Sequence, residues 1–354
     1  MPNAIDIRPI QNSDLTALVQ LQSGVHPEWR TDSAFAEAFY NWKYFDLTGR
    51  DTGYPAALVA NDEQGMVGFL GCMPFMLQYH DQQVETGWIA DWMLAERGHG
   101  QGIGKKLLQT AVDTIPAMAC VDGSEAGQHM FRKLGFQEWD CARGWLQINH
   151  PFAYEWPTRT GWRKPLGFYR ALQHRGSSRP NLSPSNTSTE IRLGDVISLE
   201  KDTFVFEPYQ RDGLVRTLDY MRWLTRCPAA STYFQLILIS GDIAGYLFSQ
   251  IDQDTWGRQR GRILELRLKP EVSNLLTDAW QSASRSLIQT HQLDYLDTVT
   301  SLSETEALQQ AGFTPRRIKK FWLKTKAFTY GSQDQWYLTL VDKDDAFRGA
   351  GLVP

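Results

Sequence analysis

Apolar residues recur at every second position in some stretches of this chain and at every third or fourth in others, the spacings of strands and helices. Ile5 to Ile10 alternates and predicts an opening strand. Asn12, Ser13 and Asp14 then offer cap oxygens to a helix through Leu15, Leu18, Val19 and Leu21. Ser33 to Phe45 predicts an aromatic helix. Ala56–Ala60 and Met66–Met73, joined by the polar turn 61–65, read as a hairpin, and Val84 to Leu94 as a longer strand. The run Gly98-His99-Gly100-Gln101-Gly102-Ile103-Gly104 leads into a helix from Lys105 to Ile115, spaced by Leu107, Leu108, Ala111 and Val112. Ala117–Val121 is a short strand, Ala126–Leu134 a helix closed by Gly135, and Phe136 returns to strand.

From 155 to 189 the composition shifts to arginine, proline, serine and asparagine, ending in SSRPNLSPSNTST, with one short aromatic helix near Leu166 to Leu172. This predicts a linker. The earlier order of elements then recurs. A strand (Glu190–Leu193) precedes an aromatic helix (Leu218–Leu224), a hairpin (Phe234–Ile239 with Ile243–Ile251) and a further strand (Arg262–Leu268). A helix (Asn274–His291), a short strand (Tyr295–Val299) and a helix (Glu304–Gln310) follow. Ala311-Gly312-Phe313 ends that helix as Leu134-Gly135-Phe136 ends its counterpart, so an internal duplication is expected. The fold class is α/β (α+β, mixed sheet), in two tandem domains, 1–152 and 190–354, around a 153–189 linker.

The glycine run lets backbone N–H groups converge on an anion at a helix N-terminus, with Lys105 and Lys106 as outer charges. A dinucleotide fold wants such a turn after its first strand, and here it follows the fourth. A P-loop needs Ser or Thr after Gly-Lys, and Gly104-Lys105-Lys106 lacks it.

The run from Leu94 to Gly104 followed by Lys-Lys-Leu-Leu, together with AGQHMFRKLGF at Ala126 to Phe136, resembles the GNAT acetyltransferase superfamily over residues 5 to 150. That resemblance implies two GNAT-like domains, the first binding acyl-CoA and the second a degenerate copy. It implies that amides of Gly100, Gln101, Gly102, Ile103 and Gly104, with Lys105, hold the CoA pyrophosphate. Met93 and Leu94 would meet the pantetheine arm, and either His99 or Arg97 would fill the family's basic or polar loop position. The thioester would lie where the fourth and fifth strands part. Phe131 stands where the family often has a tyrosine acid, and His129 points elsewhere on its helix. A base for the amine should lie on the fourth strand, where Asp91 and Glu85 are the carboxylates. Asp91, among apolar neighbours, is the stronger candidate, the competing reading being a pocket-mouth aspartate bound to backbone. Cys120 reads as small core filler.

In the second half Leu266 to Asn274 has no glycine, so that copy should not bind CoA and should instead cover the acceptor side of the first cleft. Tyr40-Asn41-Trp42-Lys43-Tyr44 and Tyr220-Met221-Arg222-Trp223 read as helix anchors with snorkelling cations. Together with the acidic tail around Asp342, Asp344 and Asp345 they loosely resemble acyltransferases of bacterial surface polysaccharides, implying an amino-sugar acceptor. The tail itself reads as an exposed acidic terminus.

The net charge of −4 and the lack of a basic tract give no support to a nucleic-acid partner. Four scattered cysteines without a CxxC pair point away from zinc and disulfides and suit a reducing cytosol, and no metal is expected. No signal peptide or membrane span is evident, so the protein is expected to be cytoplasmic. Aromatics at 12%, with 13 tryptophans, indicate aromatic cores or, alternatively, a flat-faced acceptor pocket. The expected function is N-acyl transfer from acetyl-CoA or another acyl-CoA to a small amine. A non-catalytic acyl-CoA sensor and a Fem-type aminoacyl transferase are the alternatives.

Overall fold

The computed structural model describes residues 5–26, 32–46, 53–155, 169, 172, 191–201, 204–209, 211–331 and 336–342. The first half runs β1 (Asp6–Pro9), α1 (Leu15–Val25), α2 (Ser33–Tyr44), β2 (Ala57–Asp62), β3 (Gly65–Tyr79), β4 (Gln82–Leu94), α3 (Ile103–Thr114), β5 (Ala117–Val121), α4 (Glu125–Lys133) and β6 (Gln137–Ile148). After α5 (Pro151–Glu155) come β7 (Ile191–Val196), β8 (Gly213–Leu214), α6 (Leu218–Thr225), β9 (Ser231–Ile239), β10 (Asp242–Gln253) and β11 (Gln259–Leu268). The chain continues through α7 (Leu276–His291), β12 (Tyr295–Ser301), α8 (Thr305–Gln310) and β13 (Thr314–Thr325). Most of the expected linker, including the helix near Leu166 to Leu172 and SSRPNLSPSNTST, lies outside the described residues, as do Asp344 and Asp345.

Local chemistry sets the element boundaries. The Asp32 carboxylate caps α2 by accepting from Ala34 N (2.8 Å), and Ser124 and Thr217 cap α4 and α6 in the same way. Gly135 (φ 76°) and Gly312 (φ 87°) take the left-handed conformation that ends the two matching helices.

The strands form one mixed sheet in the order β1-β2-β3-β4-β5-β13-β6-β12-β11-β10-β9-β7, with β8 pairing β3 off this path. At its centre the two halves are joined by pairing between their strands. β13, at the end of the second half, lies antiparallel to β5, while β6, at the end of the first, lies antiparallel to β12. Each half thus completes the sheet of the other, and β6 and β13 pair across the join. A cut at residue 152 would leave both halves with an unpaired sheet edge. Alternation along the strands assigned the elements but carries no information on which neighbour each strand takes.

Both faces of the sheet are covered. Helices α1, α2 and α6 pack over one face, where Leu18, Phe39 and Trp42 meet Trp88, Ala90 and Trp223 in one core. Helices α3 and α4 pack over the other with Leu107, Leu108 and Phe131. The two aromatic helices meet each other directly. Trp42 and Trp223 stack at 4.4 Å and 5° between planes, and each indole N–H donates to the other's carbonyl at 2.9 Å. This reciprocal pair relates the two halves by a local two-fold arrangement, and Trp88, Trp139, Trp145, Trp280, Trp322 and Trp336 are buried as well, so tryptophan here serves the core.

Two expectations fail here. Lys43 does not snorkel; its side chain is wholly buried. The described part of the tail, 336–342, is not an exposed acidic segment either, since Trp336, Leu338, Leu340, Val341 and Asp342 are all buried. Apolar residues at 336, 338, 340 and 341 gave it a face to bury, which the acidic count obscured.

Candidate active site

β4 and β5 pair in parallel only at Thr86–Ala117, Gly87–Met118 and Trp88–Ala119, after which they part. β5 instead pairs onward with β13, whose Trp322 lies opposite Cys120. The fork opens a cavity of about 880 Å³ lined by 89–94 of β4, Cys120 and Val121 of β5, the starts of α3 and α4, Val25 and His26 at the end of α1, and Arg317 of β13. That volume suits a ligand of cofactor size.

A bulge in β4 shapes one wall. The register with β3 passes from Phe69–Met93 to Gly71–Ala90, so Asp91 and Trp92 oppose the single residue Leu70. Asp91 adopts φ 46°, which aspartate tolerates better than most residues. A bulge takes backbone groups out of the ladder, leaving them available at the cavity wall.

Asp91 lines the cavity, but its carboxylate turns toward α2. Its Oδ2 accepts from Lys43 Nζ (2.7 Å) and from the Tyr44 hydroxyl (2.8 Å), with the Asp91 side chain only 2% exposed. Gly71 makes this possible: a Cβ there would stand 2.2 Å from the Tyr44 hydroxyl oxygen. Asp91 is therefore half of a buried ion pair, and an amine would have to compete with Lys43 for it. Neither Lys43 nor Gly71 was singled out for this site from sequence; a cation in an otherwise apolar helix face was the available signal. Glu85 lies six residues back along β4, about 20 Å at strand rise, and is not among the cavity-lining residues. The structure separates it from the site.

The other wall is the glycine turn. Gly100 (φ 76°) and Gly102 (φ 75°) are left-handed, and a Cβ on either would project into open space. Gly102 is the N-cap of α3, and the first helical bond runs from Lys106 N to Gly102 O (3.0 Å). The amides of Ile103, Gly104 and Lys105 precede it and are not used by the helix. The cradle is thus bare backbone at a positive helix end, which fits a pyrophosphate.

Met93, Leu94, His99, Gly100, Gly102, Ile103, Gly104 and Lys105 all line this cavity. Gln101 and Arg97 do not. Gln101 Nε2 donates to Arg97 O (2.6 Å), bracing the turn. The Arg97 guanidinium reaches away, to Asp62 (2.9 Å) and Met66 O (2.9 Å), and holds the Asp62 carboxyl below its ordinary range. Of the two alternatives at that loop position, His99 faces the cavity.

At the fork's far side Phe131 is buried between Trp92, Phe136 and Trp322. It carries no proton for a leaving group. His129 is exposed and outside the lining. Asp122, also left-handed (φ 71°), accepts from Arg317 (2.6 Å) and Lys319 (2.8 Å), so β13 brings charge from the second half to the cavity. The second half was expected to cover the acceptor side, but nothing in the sequence marked Arg317. Cys72, wholly buried on β3, has its thiol pushed up by burial. Among the described residues no group of His, Cys, Asp or Glu could hold a metal ion, and no helix is long and apolar enough to cross a membrane.

Comparison with known proteins agrees with this geometry. Residues 15–136 match the Acetyltransferase (GNAT) family, so this part of the chain is a GNAT-family domain. No curated protein matches the sequence. Among solved structures, a GCN5-related N-acetyltransferase from Anabaena variabilis is 16% identical with a TM-score of 0.59, and a probable N-acyltransferase from Enterococcus faecalis is 10% identical with 0.57. Each alignment covers 91% of this chain and 72% of the other. At such identities the likeness establishes the fold, here over both halves.

Proposed function

We propose that the protein transfers an acyl group, acetyl in the first instance, from acyl-CoA to the amine of a small acceptor. The observation that carries this reading is the fork cavity walled by a left-handed glycine turn at the start of α3. Its unused amides and the helix dipole would hold the CoA pyrophosphate, with Lys105 and His99 beside it. Met93 and Leu94 would line the path of the pantetheine arm into the fork. When bound, acyl-CoA supplies the thioester: the amine nitrogen bonds to the carbonyl carbon, the C–S bond breaks, and the amine's proton passes to solvent or to the thiolate. The protein aligns the two reactants and excludes water. The Asp91–Lys43–Tyr44 set fixes the bulge beside the reacting carbon, so Asp91 serves to position rather than to accept the proton. An amino sugar belongs in the acceptor panel, although Trp92 and Phe131 are the only aromatics among the described lining residues.

Calorimetric titration with acetyl-CoA of the wild type and Gly102→Glu tests this. The variant forces a side chain into a left-handed position and places negative charge at the anion cradle, so affinity should fall about 100-fold or more. An unchanged affinity would remove the cradle from the site. Phe131 in place of a hydroxyl favours a second reading, a non-catalytic acyl-CoA sensor. Release of free thiol on adding a panel of amines decides between them, since a sensor releases none.

A further inference from the structure

The fork cavity takes its walls from both faces of the sheet. Trp92 and Phe131, which line it, belong with the core under α3 and α4, whereas Val25, also in the lining, packs against the core under α1. The glycine turn opens α3, so acyl-CoA would occupy the α3 side and leave the α1 side to the acceptor. Asp91 turns its carboxylate toward the helices of that side, but Lys43 and Tyr44 already hold it. A second carboxylate lines the same cavity: Asp122, directly after β5.

Asp122 is fixed from several directions. Its backbone N–H donates to Lys320 O (2.7 Å), and its φ of 71° is of the strained kind that gathers at ligand sites. Its Oδ2 accepts from Arg317 (2.6 Å) and Lys319 (2.8 Å), both on β13. Lys319 lies opposite Ala142, a residue of the α1-side core, so the carboxylate that it holds is on that face too. Both ion pairs fall on Oδ2, and Oδ1 meets no donor among the described residues, although it is not sealed from solvent. Each carboxylate oxygen can accept through two lone pairs, so the cavity wall carries a fixed acceptor whose capacity is unused.

We infer that Asp122 binds the acceptor: Oδ1 accepts a hydrogen bond from the acceptor's amine and aims the nitrogen lone pair at the thioester carbon in the fork. That role rests on the acyl-transfer reading. Arg317 and Lys319 are positioning residues, holding the carboxylate through its other oxygen. The second half thereby takes part in the site through β13, the strand that it lends to the first half's sheet.

The full-length protein is assayed with ethanolamine, glucosamine, tyramine and spermidine by thiol release from acetyl-CoA, and each amine is titrated calorimetrically into protein saturated with free CoA. Asp122→Asn keeps the size of the side chain and tolerates the left-handed backbone. Arg317 and Lys319 can only donate, so the amide oxygen must face them and its NH2 turns to the cavity, replacing an acceptor by a donor. KM and Kd of the best amine should rise about tenfold, with acetyl-CoA affinity within about threefold of the wild type. Arg317→Ala removes an exposed partner and leaves Lys319 on Oδ2, so the amine KM should change by less than about threefold. If Asp122→Asn does not fold, adding Lys319→Met removes the buried cation, and the double variant carries the same expectation. An unchanged amine KM in Asp122→Asn, an equal loss of acetyl-CoA affinity, or an equal KM rise in Arg317→Ala overturns the assignment. Amine binding that releases no thiol, yet weakens about tenfold in Asp122→Asn, sinks acyl transfer and sustains the site. Neither binding nor turnover with any of the amines overturns both.

Discussion

The two halves of the sheet each contain a fork, and the two forks are treated in opposite ways. In the first, β4 and β5 part after Trp88–Ala119 and leave a cavity. In the second, β11 and β12 part after Ile263–Thr298, and residues 336–342 fill the space. Leu338 N donates to Ser301 Oγ (2.8 Å) at the end of β12, and the Tyr337 hydroxyl donates to Glu304 (2.8 Å). Arg216 bridges Glu265 (2.9 Å) and Asp342 (2.8 Å), and Arg267 also pairs with Glu265 (2.6 Å), all essentially buried. Where the first half has its glycine turn, the second has the helical turn Pro270–Leu275. One geometry thus gives an open cavity when bare backbone faces it and a structural core when the chain's own segment is folded into it. Each fork keeps a buried carboxylate with a cation: Asp91 with Lys43, Glu265 with Arg216 and Arg267.

The largest expected effects come from breaking those pairs. Lys43→Met takes the cation from the buried Asp91, and Arg216→Met takes it from the buried Asp342 while Glu265 keeps Arg267; each should cost about 3–5 kcal/mol of stability, read by urea denaturation. They should differ in binding. Lys43→Met releases the Asp91 bulge beside the cavity and weakens acetyl-CoA binding by the folded protein, whereas Arg216→Met leaves that affinity as in the wild type. Asp91→Asn added to Lys43→Met should restore most of the stability, because replacing both charges removes the stranded one, and asparagine tolerates the left-handed backbone. A double variant that folds and binds acetyl-CoA yet transfers nothing would make Asp91 the base after all. Loss of acetyl-CoA binding in Arg216→Met would show that the forks are coupled.

A smaller effect separates the forks by pH. Burial pushes the Glu304 carboxyl up to about 7, against the opposing hydrogen bond from Tyr337. Between the unfolded value near 4.5 and about 7, the folded state holds a proton that the unfolded state has released, so this group makes stability fall as pH rises through that window. The loss is complete above the folded value and amounts to about 3 kcal/mol. Glu304→Gln should flatten the fall, raising the melting temperature more at pH 8 than at pH 4. An equal shift at both pH values would mean that Glu304 does not carry a raised pKa. Acetyl-CoA affinity should be the same in this variant, since the group lies in the filled fork.

Most elements of both halves were legible in the sequence because each carries its own period: β4 was expected over Val84–Leu94 and spans Gln82–Leu94. The glycine turn was legible for the same kind of reason, since glycine at Gly100 and Gly102 answers a local backbone demand. The exchange of β6 and β13 was not, because pairing is decided by contacts between residues nearly two hundred apart in sequence, such as Trp139 and Phe321. The partner of Asp91 was hidden for a related reason. A buried carboxylate advertises that it needs a partner, but Lys43 lies 48 residues away on another element. The filling of the second fork was hidden too, since the charges that read as an acidic tail include Asp342, which is neutralised by Arg216 from 126 residues earlier.

The smallest expected effect tests the one loop residue that sequence spacing left open. Arg97 and His99 both fitted the position of the ligand-facing side chain, two residues apart at the edge of the glycine turn. The structure points His99 into the cavity and ties Arg97 to Asp62 and the Met66 carbonyl at the far end of β2 and β3. That Arg97–Asp62 pair is partly exposed, and such pairs contribute about 0–1 kcal/mol. Arg97→Gln should therefore change acetyl-CoA affinity by less than about threefold, with a similarly slight change in melting temperature. His99→Gln, which keeps a polar side chain at the cavity, should be comparably mild, while His99→Glu should weaken binding more than Arg97→Glu by placing charge against the pyrophosphate. The reverse order, with Arg97→Glu the more damaging, would mean that the guanidinium leaves Asp62 when acyl-CoA binds and that the loop closes on its ligand.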